Sequence, residues 1–205
     1  FPLLIGMNNE DVKGQFWAYS KEVNLAKVAC EIDFETRDKQ GNYSQLEYLL
    51  KSKSPKITQL YHLGHQEYLC QRATLNYLAN NNFELWSLGK IQDSLQETEP
   101  LIRSSNLFSF DLSAITQSQS PATSNPQAFG LTAREACQLS WYAGTNVGLK
   151  SASVWNYTPE KDVNSQTASV VATMMWYLIE GFYYRRKTLF DDKNKEATVT
   201  WLNNE

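Results

Sequence analysis

A charge excess of either sign is missing from this 205-residue sequence, in which 19 Lys and Arg face 22 Asp and Glu for a net charge of −3. Without a basic run there is no face for a phosphate backbone, and no nucleic-acid partner is expected. Long apolar runs are missing as well. No stretch of about eighteen uninterrupted apolar residues exists, so no membrane-spanning helix and no membrane partner are expected. The most apolar region, Ala168 to Tyr184, is interrupted by Ser169, Thr173, Glu180 and Gly181 and reads as a buried helix. Cysteine is scarce: Cys30, Cys70 and Cys137 are odd in number, widely spaced and form no Cys-x-x-Cys pair. They read as small buried apolar residues in a reducing compartment. A catalytic thiol would need a histidine partner, and the sequence holds only His62 and His65. No signal peptide is visible, and a cytoplasmic location is expected. The chain opens without Met, directly into Phe1-Pro-Leu-Leu-Ile-Gly6, which reads as a core strand and suggests a fragment or a processed chain.

The length suits one domain over residues 1–205, and 42% apolar with 20% charged residues is an ordinary globular composition. No internal repeat and no interdomain linker interrupt it. Short apolar runs alternate with helical patterns. Strands are expected at 3–6, 26–33, 57–63, 83–88, 107–112 and 151–157. Helices are expected at 11–20, 44–52, 66–79, 95–104, 132–143 and 167–184. Thr132 and Glu135 have capping-box spacing at the start of one helix. Ala168, Val171, Ala172, Met175, Leu178, Ile179 and Phe182 form the apolar stripe of the last. Residues 191–196 read as a solvated charge run and 197–202 as a short strand. Alternating strands and helices imply βαβ units, a mainly parallel sheet with helices on both faces, and ligand sites at the carboxyl ends of the strands. The polar segment from Thr116 to Gly130 is long for a loop inside a domain, which favours a functional role or disorder.

Ser109-Phe-Asp-Leu-Ser-Ala-Ile115, Pro121-Ala122 and Gly130-Leu-Thr-Ala-Arg-Glu-Ala136 resemble the best-marked stretch of the ureohydrolases. That family comprises the arginases, agmatinases and formimidoylglutamases. It shows Ser-x-Asp-x-Asp-Ala, a Pro-containing loop, then Gly-Leu-Thr and a helix with Arg-Glu-Ala. Tyr157-Thr-Pro-Glu-Lys-Asp162 resembles its Glu-x-Asn-Pro-x-x-Asp strand end, and Gln166-Thr-Ala168 the start of its final helix. Leu4 to Glu10 lies where the family has Gly-Gly-Asp-His, and Asp33 to Arg37 where it has Asp-Ala-His-x-Asp. Gly64-His-Gln66 matches a Gly-x-Gln turn of the family. The resemblance runs from residue 1 to about 187 and is nearest to the formimidoylglutamases. It implies the three-layer αβα arginase-like fold, with the family's N-terminal part absent from this chain.

The resemblance also implies a site for two Mn²⁺ that bridge and activate a water, held by two histidines and four aspartates. Position by position, this sequence departs from that set. Asn9 replaces the first histidine, Asp33 is kept, Glu35 replaces the second histidine and Arg37 the next aspartate. Asp111 is kept, Ser113 replaces its partner, and Asn156 replaces the glutamate near the substrate. Arg37 cannot be deprotonated and would repel a dication while bridging Asp33 and Asp111. The expectation is a non-catalytic relative without a cofactor, acting by binding or assembly with a protein partner or a second copy. Under it, Arg37→Ala lowers the melting temperature; an unchanged melting temperature would count against Arg37 as the countercharge.

Two rivals stay open. Asp33, Glu35 and Asp111 with waters would suit one hard cation such as Mn²⁺ or Mg²⁺, which keeps a hydrolase of a C–N amidine or guanidine bond in view. A non-catalytic small-molecule sensor would keep a pocket under the Thr116–Gly130 loop. His62 and His65, three apart at a strand end, are expected to point in different directions and to be exposed or satisfied in the core. Trp176, Tyr177, Phe182, Tyr183 and Tyr184 read as helix core, with a subunit contact as the alternative. Arg185-Arg-Lys187 reads as the dipole complement of a helix end. Ser113 without a nearby histidine offers no catalytic triad.

Overall fold

The computed structural model describes residues 2–6, 10–18, 22–32, 34, 45–51, 56–81 and 83–202, with side chains omitted at 10–13, 45 and 186–202. Asn9, Asp33, Glu35 and Arg37 lie outside the described residues.

Six short apolar segments form one sheet: β1 (Leu3–Ile5), β2 (Glu22–Val28), β3 (Lys56–His65), β4 (Glu84–Ser87), β5 (Leu107–Asp111) and β6 (Ser151–Trp155). Their order across the sheet is β1-β6-β5-β2-β3-β4, and every pairing is parallel. Parallel strands need crossovers, and among the described residues these run through α1 (Glu10–Trp17), α2 (Gln45–Lys51), α3 (Arg72–Asn80), α4 (Leu88–Asp93), α5 (Thr98–Arg103) and α6 (Ala133–Thr145), while α7 (Gln166–Leu202) follows the last strand.

Strand side chains alternate between faces, so each central strand feeds two cores. Ala26 and Val28 of β2, Phe108 and Phe110 of β5, and Ala152 and Val154 of β6 face Leu139, Ala143, Val171, Met174 and Leu178 of α6 and α7. Leu25, Leu60 and Leu107 point the other way, toward Phe16 of α1, Leu46 and Leu49 of α2 and Leu78 of α3. This is the three-layer αβα arrangement the sequence implied. Among the described residues no helix is long and apolar enough to cross a membrane.

Local signals placed the α6 start correctly. Thr132 Oγ1 accepts from the Glu135 amide, and the Glu135 carboxylate accepts from the Thr132 amide, so the reciprocal capping box is complete. Several boundaries differ. β2 ends at Val28 rather than running to Asp33, although Ala29 and Cys30 still bond to the end of β3 through the Leu63 carbonyl and the Gln66 amide. The 66–79 helix is split at Cys70-Gln71, with a 3₁₀ turn before α3. α4 is an additional short helix, started by Ser87, whose hydroxyl accepts from the Lys90 amide. α7 continues through the charge run and the 197–202 segment to Leu202. Ala, Glu and Lys there favour helix, and the Thr-Val-Thr alternation does not override them.

Two side-chain readings also change. Trp176 (67% exposed), Tyr177, Tyr183 and Tyr184 lie on the outside of α7 rather than in its core. Arg185 sits mid-helix, not at a helix end. Its guanidinium stacks on Phe182 (4.0 Å) and donates to the Asn146 carbonyl at the end of α6 (2.6 Å).

Candidate functional site

The carboxyl ends of β2, β5 and β6 converge, as the parallel register requires, and the polar residues just beyond them form the site. Asp111 closes β5. It is buried, and its Oδ1 accepts from the Ser113 amide (2.9 Å) and from Asn156 Nδ2 (2.8 Å). Burial pushes the Asp111 carboxyl above its ordinary range; these two donors and the charge of Lys27 pull against that shift. Ser113, in the turn after Asp111, is fully buried and faces Cys30 with Oγ···Sγ at 3.1 Å.

Asn156 follows β6 with φ of +68°, a conformation that asparagine tolerates better than most residues. Its side chain is fully engaged. Nδ2 donates to Asp111 and to Asn125 Oδ1 (2.7 Å), and Oδ1 accepts from the Ser124 amide (2.9 Å) and hydroxyl (2.6 Å). Asn125 Nδ2 in turn donates to Glu31 Oε1 (3.3 Å), next to Cys30. A continuous chain of hydrogen bonds thus links β5, β6, the Thr116–Gly130 loop and the segment after β2.

The structure therefore brings together three of the expected site residues, Asp111, Ser113 and Asn156. It adds Cys30, Glu31, Ser124 and Asn125, which the sequence reading missed. Cys30 carries no motif; it lies just past the end of β2, where its carbonyl accepts from the Gln66 amide and its thiol meets Ser113. Burial pushes its thiol up to about 12, so it stands protonated at neutral pH and is a poor nucleophile and metal ligand.

A second polar group lies one row beneath the strand ends. Ser153 of β6, Ser109 of β5, Lys27 of β2 and His62 of β3 are partners in successive registers, and all are buried. Trp155 Nε1 donates to Ser109 Oγ (3.0 Å), and Lys27 Nζ lies 5.4 Å from the centre of the Trp155 ring. His62 and His65 do not diverge. Gly64 adopts φ of +88°, and the β3–β4 register shifts between Leu63 and His65. That bulge changes the alternation, so the two rings meet edge to face at 5.9 Å. Neither histidine is exposed. His62 is fully buried, and among the described residues its ring nitrogens make no well-formed hydrogen bond, only a weak interaction with the Glu31 backbone.

Of the expected metal-ligand positions, Asp111 and Ser113 are among the described residues, whereas Asn9, Asp33, Glu35 and Arg37 are not. Asp111 is the one strand-end carboxylate in direct contact with both Ser113 and Asn156, and Glu31 lies beyond Asn125. Ser113 and Cys30 are neutral, and Asn156 spends its carbonyl on Ser124. Among the described residues no three His, Cys, Asp or Glu side chains are placed to hold a metal. The described donors by themselves are short of the nitrogen ligands and negative charge that two Mn²⁺ take.

Fold and site together define an α/β protein of the arginase-like class, with its polar centre at the carboxyl ends of a parallel sheet. The arginase family model matches residues 32–180, more than half of the chain, and the chain belongs to that family. Solved structures of similar fold include a formiminoglutamase from Trypanosoma cruzi with Mn²⁺, with TM-score 0.76 and 21% identity over 89% of this chain and 65% of that one. A formimidoylglutamase from Bacillus subtilis superposes with TM-score 0.77 and 17% identity, covering 89% of this chain and 61% of its own. An arginase from Bacillus cereus gives 0.69 and 18%, covering 87% and 70%. At these identities the likeness is one of fold, and the chain spans about 65% of the length of the Trypanosoma enzyme. No curated protein sequence matches it.

Proposed function

We propose that this chain is a non-catalytic member of the arginase family that acts by binding or assembly, with a degenerate form of the manganese crevice. The observation that carries this reading is the state of Asp111. Its Oδ1 is committed to Asn156 and to the backbone of Ser113, with a protonated thiol and a hydroxyl where a charged partner would be needed. Water activation by two metals needs several anionic ligands around open coordination positions, and these neighbours supply hydrogen bonds instead. Asn9, Glu35 and Arg37, read from the sequence as substituted ligand positions, point the same way.

The second reading, a manganese-dependent hydrolase of linear amidines or guanidines, is favoured by the relatives. The Trypanosoma cruzi enzyme and its asparagine-to-histidine variant are both described with Mn²⁺. One experiment separates the two. The purified protein is dialysed against Mn²⁺ at neutral pH and its metal measured by elemental analysis. Release of urea, formamide and ammonia from arginine, agmatine and formimidoylglutamate is then assayed. The non-catalytic reading expects less than one manganese per ten chains and no turnover. Two manganese per chain with product release would overturn it.

A further inference from the structure

The segment from Thr116 to Gly130 is not an unstructured connection. Its base is laced by the Gln117 amide donating to the Gln127 carbonyl (2.7 Å) and by Thr116 Oγ1 donating to the Ala128 carbonyl (3.0 Å). Its outer rim is held by Gln66 Nε2, which donates to the Phe129 carbonyl (2.9 Å). At the tip, Ser124 and Asn125 reach over the strand ends, and both meet the same side chain, Asn156. Beneath that side chain lie Asp111 and Ser113 and, against Ser113, Cys30.

We infer that the tip of this loop is a lid over the Asp111 crevice and that the Asn156 amide is its clasp. One planar amide makes four hydrogen bonds at once, two to the lid tip through Oδ1, one to the lid through Nδ2 and one to Asp111. Every group it meets is matched donor to acceptor, which is the condition for a buried polar network to hold one geometry. The lid closes on the far side through Asn125 and Glu31, so the tip spans from β6 to the segment after β2. On this inference, a molecule approaching Asp111 or Cys30 from the side of the loop breaks the Asn156 contacts to Ser124 and Asn125. Asn156 is here a positioning residue. The inference rests on the reading of the crevice as free of manganese, and its test is run in chelator so that the two can fail separately.

The positive φ of Asn156 selects the variant. Asn156→Gly removes the amide but keeps a backbone that glycine adopts freely. The probe is iodoacetamide alkylation of the intact protein in EDTA, followed residue by residue by peptide mass spectrometry. Cys137, buried on α6 away from the loop tip's contacts with Asn156, serves as the internal reference for general loosening. In the unsubstituted protein Cys30 is expected to react as slowly as Cys137. In Asn156→Gly, alkylation of Cys30 is expected to rise at least tenfold relative to Cys137, together with faster hydrogen exchange at the Ser124 amide. Asn156→Asp, which sets a second carboxylate against Asp111, is expected to raise Cys30 labelling similarly at neutral pH. An unchanged Cys30-to-Cys137 ratio in both variants overturns the lid, as does a parallel rise of both cysteines. Rapid Cys30 labelling of the unsubstituted protein would show that no lid exists.

Discussion

Alanine at Gly144 is expected to destabilise the protein by about 3 kcal/mol, at or beyond the upper end of the usual cost of overpacking. A β-carbon there would sit 2.1 Å from the Leu178 carbonyl oxygen and 3.1 Å from the Gly181 α-carbon. Both are backbone atoms of α7, so no side-chain rotation relieves the contact and the two helices must separate. Separation draws Val171, Met174 and Leu178 away from Leu139 and Ala143, which together cover one face of the sheet. It also reaches the site, because Thr167 at the start of α7 accepts from the Ala122 amide of the lid (3.0 Å). Urea unfolding of Gly144→Ala would show the loss as a lower midpoint. An unfolding free energy within about 0.5 kcal/mol of the unsubstituted value would mean that the helix crossing is looser than the geometry requires.

What could be read from the sequence was local or periodic. The capping box at Thr132 and Glu135 depends on residues three apart, and the helix begins where they place it. The βα alternation gave the parallel sheet, and that sheet in turn located the site at the strand ends, where Asp111, Ser113 and Asn156 meet. The features that escaped depend on tertiary geometry. Gly64 looks like an ordinary turn glycine, yet its bulge reverses the alternation and turns two divergent histidines toward each other. The run Ala26 to Asp33 reads as one strand, and nothing local shows that β2 ends at Val28 and that Cys30, just beyond it, meets Ser113. The α7 aromatics have a buried helix's composition, but Met174 and Leu178 take the inner face and leave Trp176 and Tyr183 outside. The hydrogen bonds of the 116–130 loop join residues more than thirty positions apart at Asn156, a pairing that no spacing rule encodes.

Acidification from pH 7.5 to 5.5 is expected to lower stability, and His62 is the main cause. Its ring is fully buried, and among the described residues neither nitrogen makes a well-formed hydrogen bond. Lys27 lies directly across from it on β2, His65 lies beside it on β3, and the Glu31 backbone offers it only weak compensation. Burial comes first and the neighbouring positive charges second in holding the His62 imidazolium well below the ordinary histidine range. His65 is lowered as well, by burial, with Glu67 and the Trp86 backbone pulling the other way. The sign follows from proton counts. Below about pH 6.5 the unfolded chain protonates these rings and the folded chain does not, so protons favour unfolding. The stability is complete above that pH and falls with acid by up to about 1.4 kcal/mol per pH unit for His62, until its own low folded value is reached. Asp111 acts with the opposite sign, because a raised carboxyl binds protons more tightly in the folded state and favours folding at lower pH. Comparing the unsubstituted protein with His62→Leu cancels that contribution. The leucine variant keeps a buried side chain of similar size without the buried ring nitrogens, so its stability should match or exceed the original at pH 7.5 and fall less steeply toward pH 5.5. Parallel urea-unfolding profiles for the two proteins across that range would show that His62 takes up a proton in the folded state and that burial beside Lys27 does not hold its imidazole neutral.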